Sequence, residues 1–123
     1  MKEYKNESGK YHRLDGPAVE DSVYKSWWIN GLRHREDGPA IEYSDGSKEW
    51  WINGRLHRTN GPAIEDDNGD KEWYINGKRH REDGPAIDCS NGHKEWWIND
   101  IEYSEDQYYQ ELIKLKLKRL IEL

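Results

Sequence analysis

Four His-Arg pairs are the residues of this 123-residue chain best placed to do chemistry: His12-Arg13, His34-Arg35, His57-Arg58 and His80-Arg81. A column of Arg13, Arg35, Arg58 and Arg81 could bind a small phosphorylated ligand or a lipid headgroup, because the planar guanidinium fork matches phosphate and carboxylate oxygens. Each arginine also stands two residues before Asp15, Asp37, Asn60 or Asp83, which open a Gly-Pro turn. An Asp or Asn there bonds its own turn backbone, and the arginine can pair with a nearby carboxylate. Regular repetition favours this structural use. Cys89 and His93 lie four apart, and His80 could join them. That set falls short of a closed four-ligand zinc site, so no metal and no cofactor is expected. Nucleophilic catalysis needs a Cys or Ser held by a His and an orienting acid. Cys89 stands where the second unit has Tyr43 and the third has Asp66, which marks a variable turn flank. Paired carboxylates recur once per unit, and no unique cluster breaks the repetition. No enzyme is expected.

These residues sit in a repeat array. Trp27-Trp28-Ile29-Asn30-Gly31 returns at Trp50, at Trp73 (with Tyr74) and at Trp96 (with Asp100 in place of Gly), each time 23 residues on. The block that starts at His12 returns at His34, His57 and His80, first after 22 residues and then after 23. The residue lost from the first period falls between Asp21 and Ser26, where a turn is shortened between two intact blocks. Loops vary in this way between fixed strands. Glu49-Trp50-Trp51-Ile52 suits a pleated strand, and Asn53-Gly54 directly after it is a strong hairpin signal. Pro62 belongs at a strand start or bulge. The expected fold is mainly β: an elongated antiparallel meander of four β-hairpin repeats over residues 1–100, with a C-terminal α-helix over 101–123 capping the array.

Side chains alternate between the two faces of a strand. Trp50 and Ile52 share one face, and Glu49 and Trp51 share the other. We expect Ile41, Ile64 and Ile87 to join the Trp50 face as a core stripe. The second row is Trp28, Trp51, Tyr74 and Trp97, with Glu49, Glu72 and Glu95 beside it. Either a curved sheet buries this row against its own turns, or the row forms a partly exposed aromatic stripe. Exposed aromatics on a polar rim mark protein-binding surfaces. The acidic neighbours would then suit a basic partner.

Ser104-Glu105-Asp106-Gln107 has the spacing of a capping box, with acids in the first turn and Lys116, Lys118 and Arg119 near the far end, as the helix dipole favours. The spacing predicts a helix over 105–121. Its expected packing stripe is Tyr109, Leu112, Ile113, Lys116, Leu117 and Leu120. Leu115 and Leu123 fall off that stripe and could serve a homodimer contact. An open sheet edge offers a second route to a homodimer.

Composition narrows the classes further. The hydrophobic fraction is 33% and the mean hydropathy is -1.27, which alone would suggest disorder. Seven Trp and eight Tyr supply the missing core area. No apolar run reaches membrane-spanning length, and residues 1–8 lack the apolar core of a secretory signal. A single cysteine suits a reducing, cytoplasmic setting. A net charge of -6 disfavours nucleic-acid binding, which rests on phosphate neutralisation.

The pattern W-W-I-N-G-x-x-H-R-x-D-G-P-A-I-E over residues 10–100 resembles the degenerate MORN-like repeats of large tailed phages, giant viruses and some bacteria. That resemblance implies an elongated β-sheet with a binding or scaffolding role and no enzymatic activity. The expectation is a phage-encoded accessory protein that binds and inhibits a host protein by occlusion, for example an antiviral defence protein, in the host cytoplasm. The alternatives are the phosphorylated ligand or lipid headgroup on the arginine column, and a self-assembling structural scaffold.

Overall fold

The computed structural model describes all 123 residues, Met1 to Leu123. Sixteen short strands precede one helix. Ten of them form a single open antiparallel sheet that runs in chain order from Lys2–Glu3 to Ile101–Tyr103. Three two-stranded hairpins project from it: Trp28–Ile29 with Leu32–Arg33, Trp51–Ile52 with Arg55–Leu56, and Tyr74–Ile75 with Lys78–Arg79. The expected meander of hairpin repeats closed by a helix is the fold observed. No helix is long and apolar enough to cross a membrane.

The hairpin tips follow from Asn-Gly. Asn53 has φ 50° and Gly54 φ 76°, the positive pair a type I′ turn requires. Asn99-Asp100 keeps the same shape at φ 48° and 70°, although Asp replaces Gly. There the Asp100 carboxylate accepts from the Arg79 N–H at 3.2 Å. Each tip is tied to the preceding unit: the N–H groups of Gly31, Gly54 and Gly77 donate to the carbonyls of Tyr11, Arg33 and Leu56 at 2.8–2.9 Å.

Between main sheet and hairpin the chain changes partners at a tryptophan. The Trp50 N–H donates to the Ala63 carbonyl at 2.8 Å, and the Trp50 carbonyl accepts from the His57 N–H at 3.0 Å. Trp27 and Trp73 repeat the pattern with Ala40 and His34, and with Ala86 and His80. Ala40, Ala63 and Ala86 are therefore fully buried under neighbouring chain.

Register corrects one expectation. Glu49 lies opposite both Ile41 and Ile64, and Glu72 lies opposite both Ile64 and Ile87. Directly opposed residues share a face, so the isoleucines line the Glu49–Trp51 face and not the Trp50 face. A one-residue change of pairing exchanges the faces. The adjacent row alternates in charge across the sheet: Glu42, Lys48, Glu65, Lys71, Asp88 and Lys94 oppose one another in turn. Opposite charges so placed each contribute roughly 0.2–1 kcal/mol.

The array also begins earlier than the repeated motif suggests. Lys2–Glu3 pairs with Val19–Glu20, and Tyr4 donates its N–H to Ala18 at 2.7 Å, as Trp27 does to Ala40. Lys2-Glu3-Tyr4 is a worn copy of Lys48-Glu49-Trp50.

The helix, α1, spans Glu105–Ile121, and Ser104 Oγ accepts from the Gln107 N–H at 3.3 Å. Its rotation differs from expectation. Tyr108 and Leu112 are buried against Ile98, with Trp96, Tyr103 and Leu115 packed around them. Tyr109, Ile113, Leu117 and Leu120 remain 47%, 59%, 54% and 65% exposed. Two polar anchors set this rotation. The Tyr108 hydroxyl donates to the Arg81 carbonyl, and Arg119 forms a bidentate pair with Glu82. Leu115, expected to be free for a dimer contact, packs into the chain's own core instead.

Candidate functional site

Each His-Arg pair acts as a latch within the array. Arg35 lies over the Trp27 ring at 3.9 Å, Arg58 over Trp50 at 3.7 Å and Arg81 over Trp73 at 3.7 Å, while Arg13 lies over Tyr4 at 4.1 Å. Nη1 donates to the turn carbonyls of Pro17, Pro39, Pro62 and Pro85 at 2.9–3.2 Å. Nε donates to Asp15, Asp37 and Asp83 at 2.8–3.0 Å. Arg35 and Arg58 add carboxylate contacts to Glu42 and Glu65, both at 3.1 Å. The turn glycine makes room for this. A Cβ on Gly61 would stand 2.9 Å from Arg58 Cζ.

The histidines have a role that their spacing within one unit does not reveal. Nδ1 of His12, His34, His57 and His80 accepts the backbone N–H of Asn30, Asn53, Asn76 and Asn99 at 2.9–3.0 Å. The ring proton therefore sits on Nε2, which in His80 donates to Glu82 at 2.6 Å and in His34 meets Glu36 at 3.4 Å. The only trace in the sequence is the offset from His to the next tip asparagine, 18 residues in the first unit and 19 in the other three. Both ring nitrogens of His80 are thus engaged, and His93 Nε2 is taken by Glu95 at 2.8 Å. Cys89 and His93 meet through backbone only, Cys89 N–H to His93 carbonyl at 2.9 Å.

The second aromatic row keeps one environment through the array. Trp28, Trp51, Tyr74 and Trp97 are all half-buried, neither core nor fully exposed. Their polar ends point to neighbours two residues back. Trp51 and Trp97 Nε1 donate to Glu49 and Glu95 at 2.9 Å, the Tyr74 hydroxyl donates to Glu72 at 2.9 Å, and Trp28 Nε1 donates to Ser26 at 2.8 Å. The three predicted glutamates are thereby fastened to the row. Bonds from His93 and Trp97 hold the Glu95 carboxyl below its ordinary range. Burial and the bond to Glu49 push Tyr43 up to about 12.

Two arginines outside the repeated motif lie among these rings. Arg33 lies between Trp28 and Trp51, 5.0 and 5.1 Å from their rings. Arg79 lies between Tyr74 and Trp97, 5.9 and 4.9 Å from theirs. Leu56 fills the corresponding place opposite Trp51. Tyr11 extends the row at 5.4 Å from Trp28. Their signal in the sequence is weak because the second residue of the hairpin's return strand alternates: Arg33, Leu56, Arg79.

On the arginine side, open grooves lie between consecutive Gly-Pro turns. The last one is about 900 Å³ and reaches the helix at Lys116 and Arg119. Comparison with protein-family models, with curated proteins and with solved structures finds no match to this chain.

Proposed function

We propose that the chain is a non-enzymatic protein-interaction module whose binding surface is the aromatic–arginine band. The observation that carries this reading is the row of half-buried rings Trp28, Trp51, Tyr74 and Trp97, with Arg33 set between the first two and Arg79 between the last two. Trp, Tyr and Arg are the residues that dominate binding energy at protein interfaces. The polar ends of Trp28, Trp51, Tyr74 and Trp97 are already bonded, so these rings lose little freedom on docking. Glu49, Glu72 and Glu95 and the charge of -6 suit a basic partner. The rigid array would act by occlusion, covering a partner's working surface. The MORN-like repeat pattern is the support for a further step: a phage-encoded accessory protein acting in the host cytoplasm on a host target such as a defence protein.

The test is an affinity capture from bacterial lysate with the tagged chain, read by mass spectrometry. It is repeated with Trp51→Ala combined with Trp97→Ala. The expected result is one stoichiometric host protein, lost in the double variant while its circular dichroism stays native. If the double variant unfolds, the row is core. If capture survives the substitutions, the surface lies elsewhere.

A further inference from the structure

The three grooves on the arginine side are copies of one design, so their differences are informative. The first is lined by Arg13 and Arg35 against Asp15, Glu36 and Asp37. The second has Arg35 and Arg58 against Glu36 and Asp37. The third has Arg58, Arg81, Lys116 and Arg119 against Glu82 and Asp83. The lining passes from net negative through neutral to net positive, in a chain of charge -6.

Two departures from the repeat produce the change. Thr59-Asn60 stands where the second and fourth units have Glu36-Asp37 and Glu82-Asp83. Arg58 alone among the four latch arginines therefore has no aspartate on Nε, and it keeps only Pro62 and Glu65 on Nη1. The helix supplies the second departure. It brings Arg119, held by Glu82, and Lys116, which forms no ion pair. Thr59, Asn60 and Asn99 add neutral polar groups to the same walls, and Trp73 and Ile75 give them apolar surface.

We propose that the third groove binds a phosphate monoester. The phosphate sits between the Arg58 Nε edge and the Lys116 ammonium, and the organic part lies along Trp73 and Ile75. A guanidinium edge recognises two oxygens in a plane, and an ammonium supplies a point charge. The Arg58 Nε edge, whose carboxylate contact is on Nη1 alone, and the unpaired Lys116 ammonium match a dianion better than a single carboxylate. The monoester can come from a soluble metabolite or from a phosphatidate headgroup. This reading does not depend on the aromatic band, which uses other residues.

Thermal unfolding of the full chain followed by tryptophan fluorescence tests it, because a ligand of the folded state raises Tm by mass action. The probes are phenyl phosphate, inorganic phosphate, and phosphatidylcholine vesicles with and without phosphatidate, against chloride at matched ionic strength. A Tm rise with phenyl phosphate supports a soluble monoester, and a rise with phosphatidate vesicles alone supports the headgroup. Lys116→Gln is expected to weaken binding at least tenfold, and Arg13→Gln in the first groove to leave it within twofold. The decisive variant is Thr59→Glu with Asn60→Asp, which restores the acids of the neighbouring units. It should fold at least as well as the parent and lose the ligand response. No Tm rise with any phosphate probe overturns the proposal. So does an undiminished response in the Thr59→Glu/Asn60→Asp variant.

Discussion

At the scale of single residues, the array reuses one latch. A latch arginine stacks on an aromatic ring, ties off a proline carbonyl and, in three of four units, holds the turn aspartate. Cation–π stacking of this kind contributes on the order of 0.5–2 kcal/mol. Lysine has no planar fork and could not make all three contacts. The helix is latched differently, through Glu82. The Arg119 bond, then the His80 bond, lower the Glu82 carboxyl from its ordinary 4.5 to about 2, with burial opposing them. The folded value lies below the unfolded one, so the contribution is complete above pH 4.5 and is lost as pH falls toward 2. Arg119 is half exposed, so solvent reduces its size. Urea midpoints of the parent and of Glu82→Gln are expected to converge across that window, with the parent more stable above it. Parallel curves would show that the pair adds nothing to folding.

At the scale of elements, the helix separates what sequence patterns carry from what they do not. Its span was legible to the residue, because Ser104 and the charged ends are local signals. Its rotation was not. The apolar stripe through Tyr109 and Ile113 is the more regular one, yet the Tyr108 hydroxyl and Arg119 turn the helix toward their partners in the last Gly-Pro turn. Leu112→Ala is therefore expected to cost about 2–5 kcal/mol. Ile113→Ala should stay within about 0.5 kcal/mol. Denaturant titration of the two variants checks this, and equal losses would refute the observed packing. The hairpin tips were legible for the same local reason as the helix cap. The face of Ile41, Ile64 and Ile87 was not, because register is a property of two strands and a single-strand pattern cannot fix it. Alternation groups Trp28, Trp51, Tyr74 and Trp97 in one row, but it does not give their half-burial. Arg33, Arg79 and the histidine acceptors were missed, because their partners lie in the next unit or vary between units.

At the scale of the whole molecule, only 12 of 123 residues are buried, so stability resides in bonds between successive units more than in a central core. Those bonds also govern how the molecule ages. Six Asn-Gly steps lie along the chain, at Asn30, Asn53, Asn60, Asn68, Asn76 and Asn91. Deamidation at such a step begins when the glycine nitrogen attacks the asparagine carboxamide and expels ammonia. Water then opens the ring to aspartate or isoaspartate. At five of the steps the glycine N–H is already donated to a carbonyl: Gly31 to Tyr11, Gly54 to Arg33, Gly69 to Asp66, Gly77 to Leu56 and Gly92 to Cys89. Gly61 makes no such bond. Peptide mapping after prolonged warm storage should find Asn60 converted first, and equal conversion at the hairpin tips would contradict that protection. The aspartate product at position 60 is the residue that Asp15, Asp37 and Asp83 already supply elsewhere. In the aspartate fraction time alone would make the one irregular turn regular, and the third groove would lose attraction for anions on the molecule's own clock.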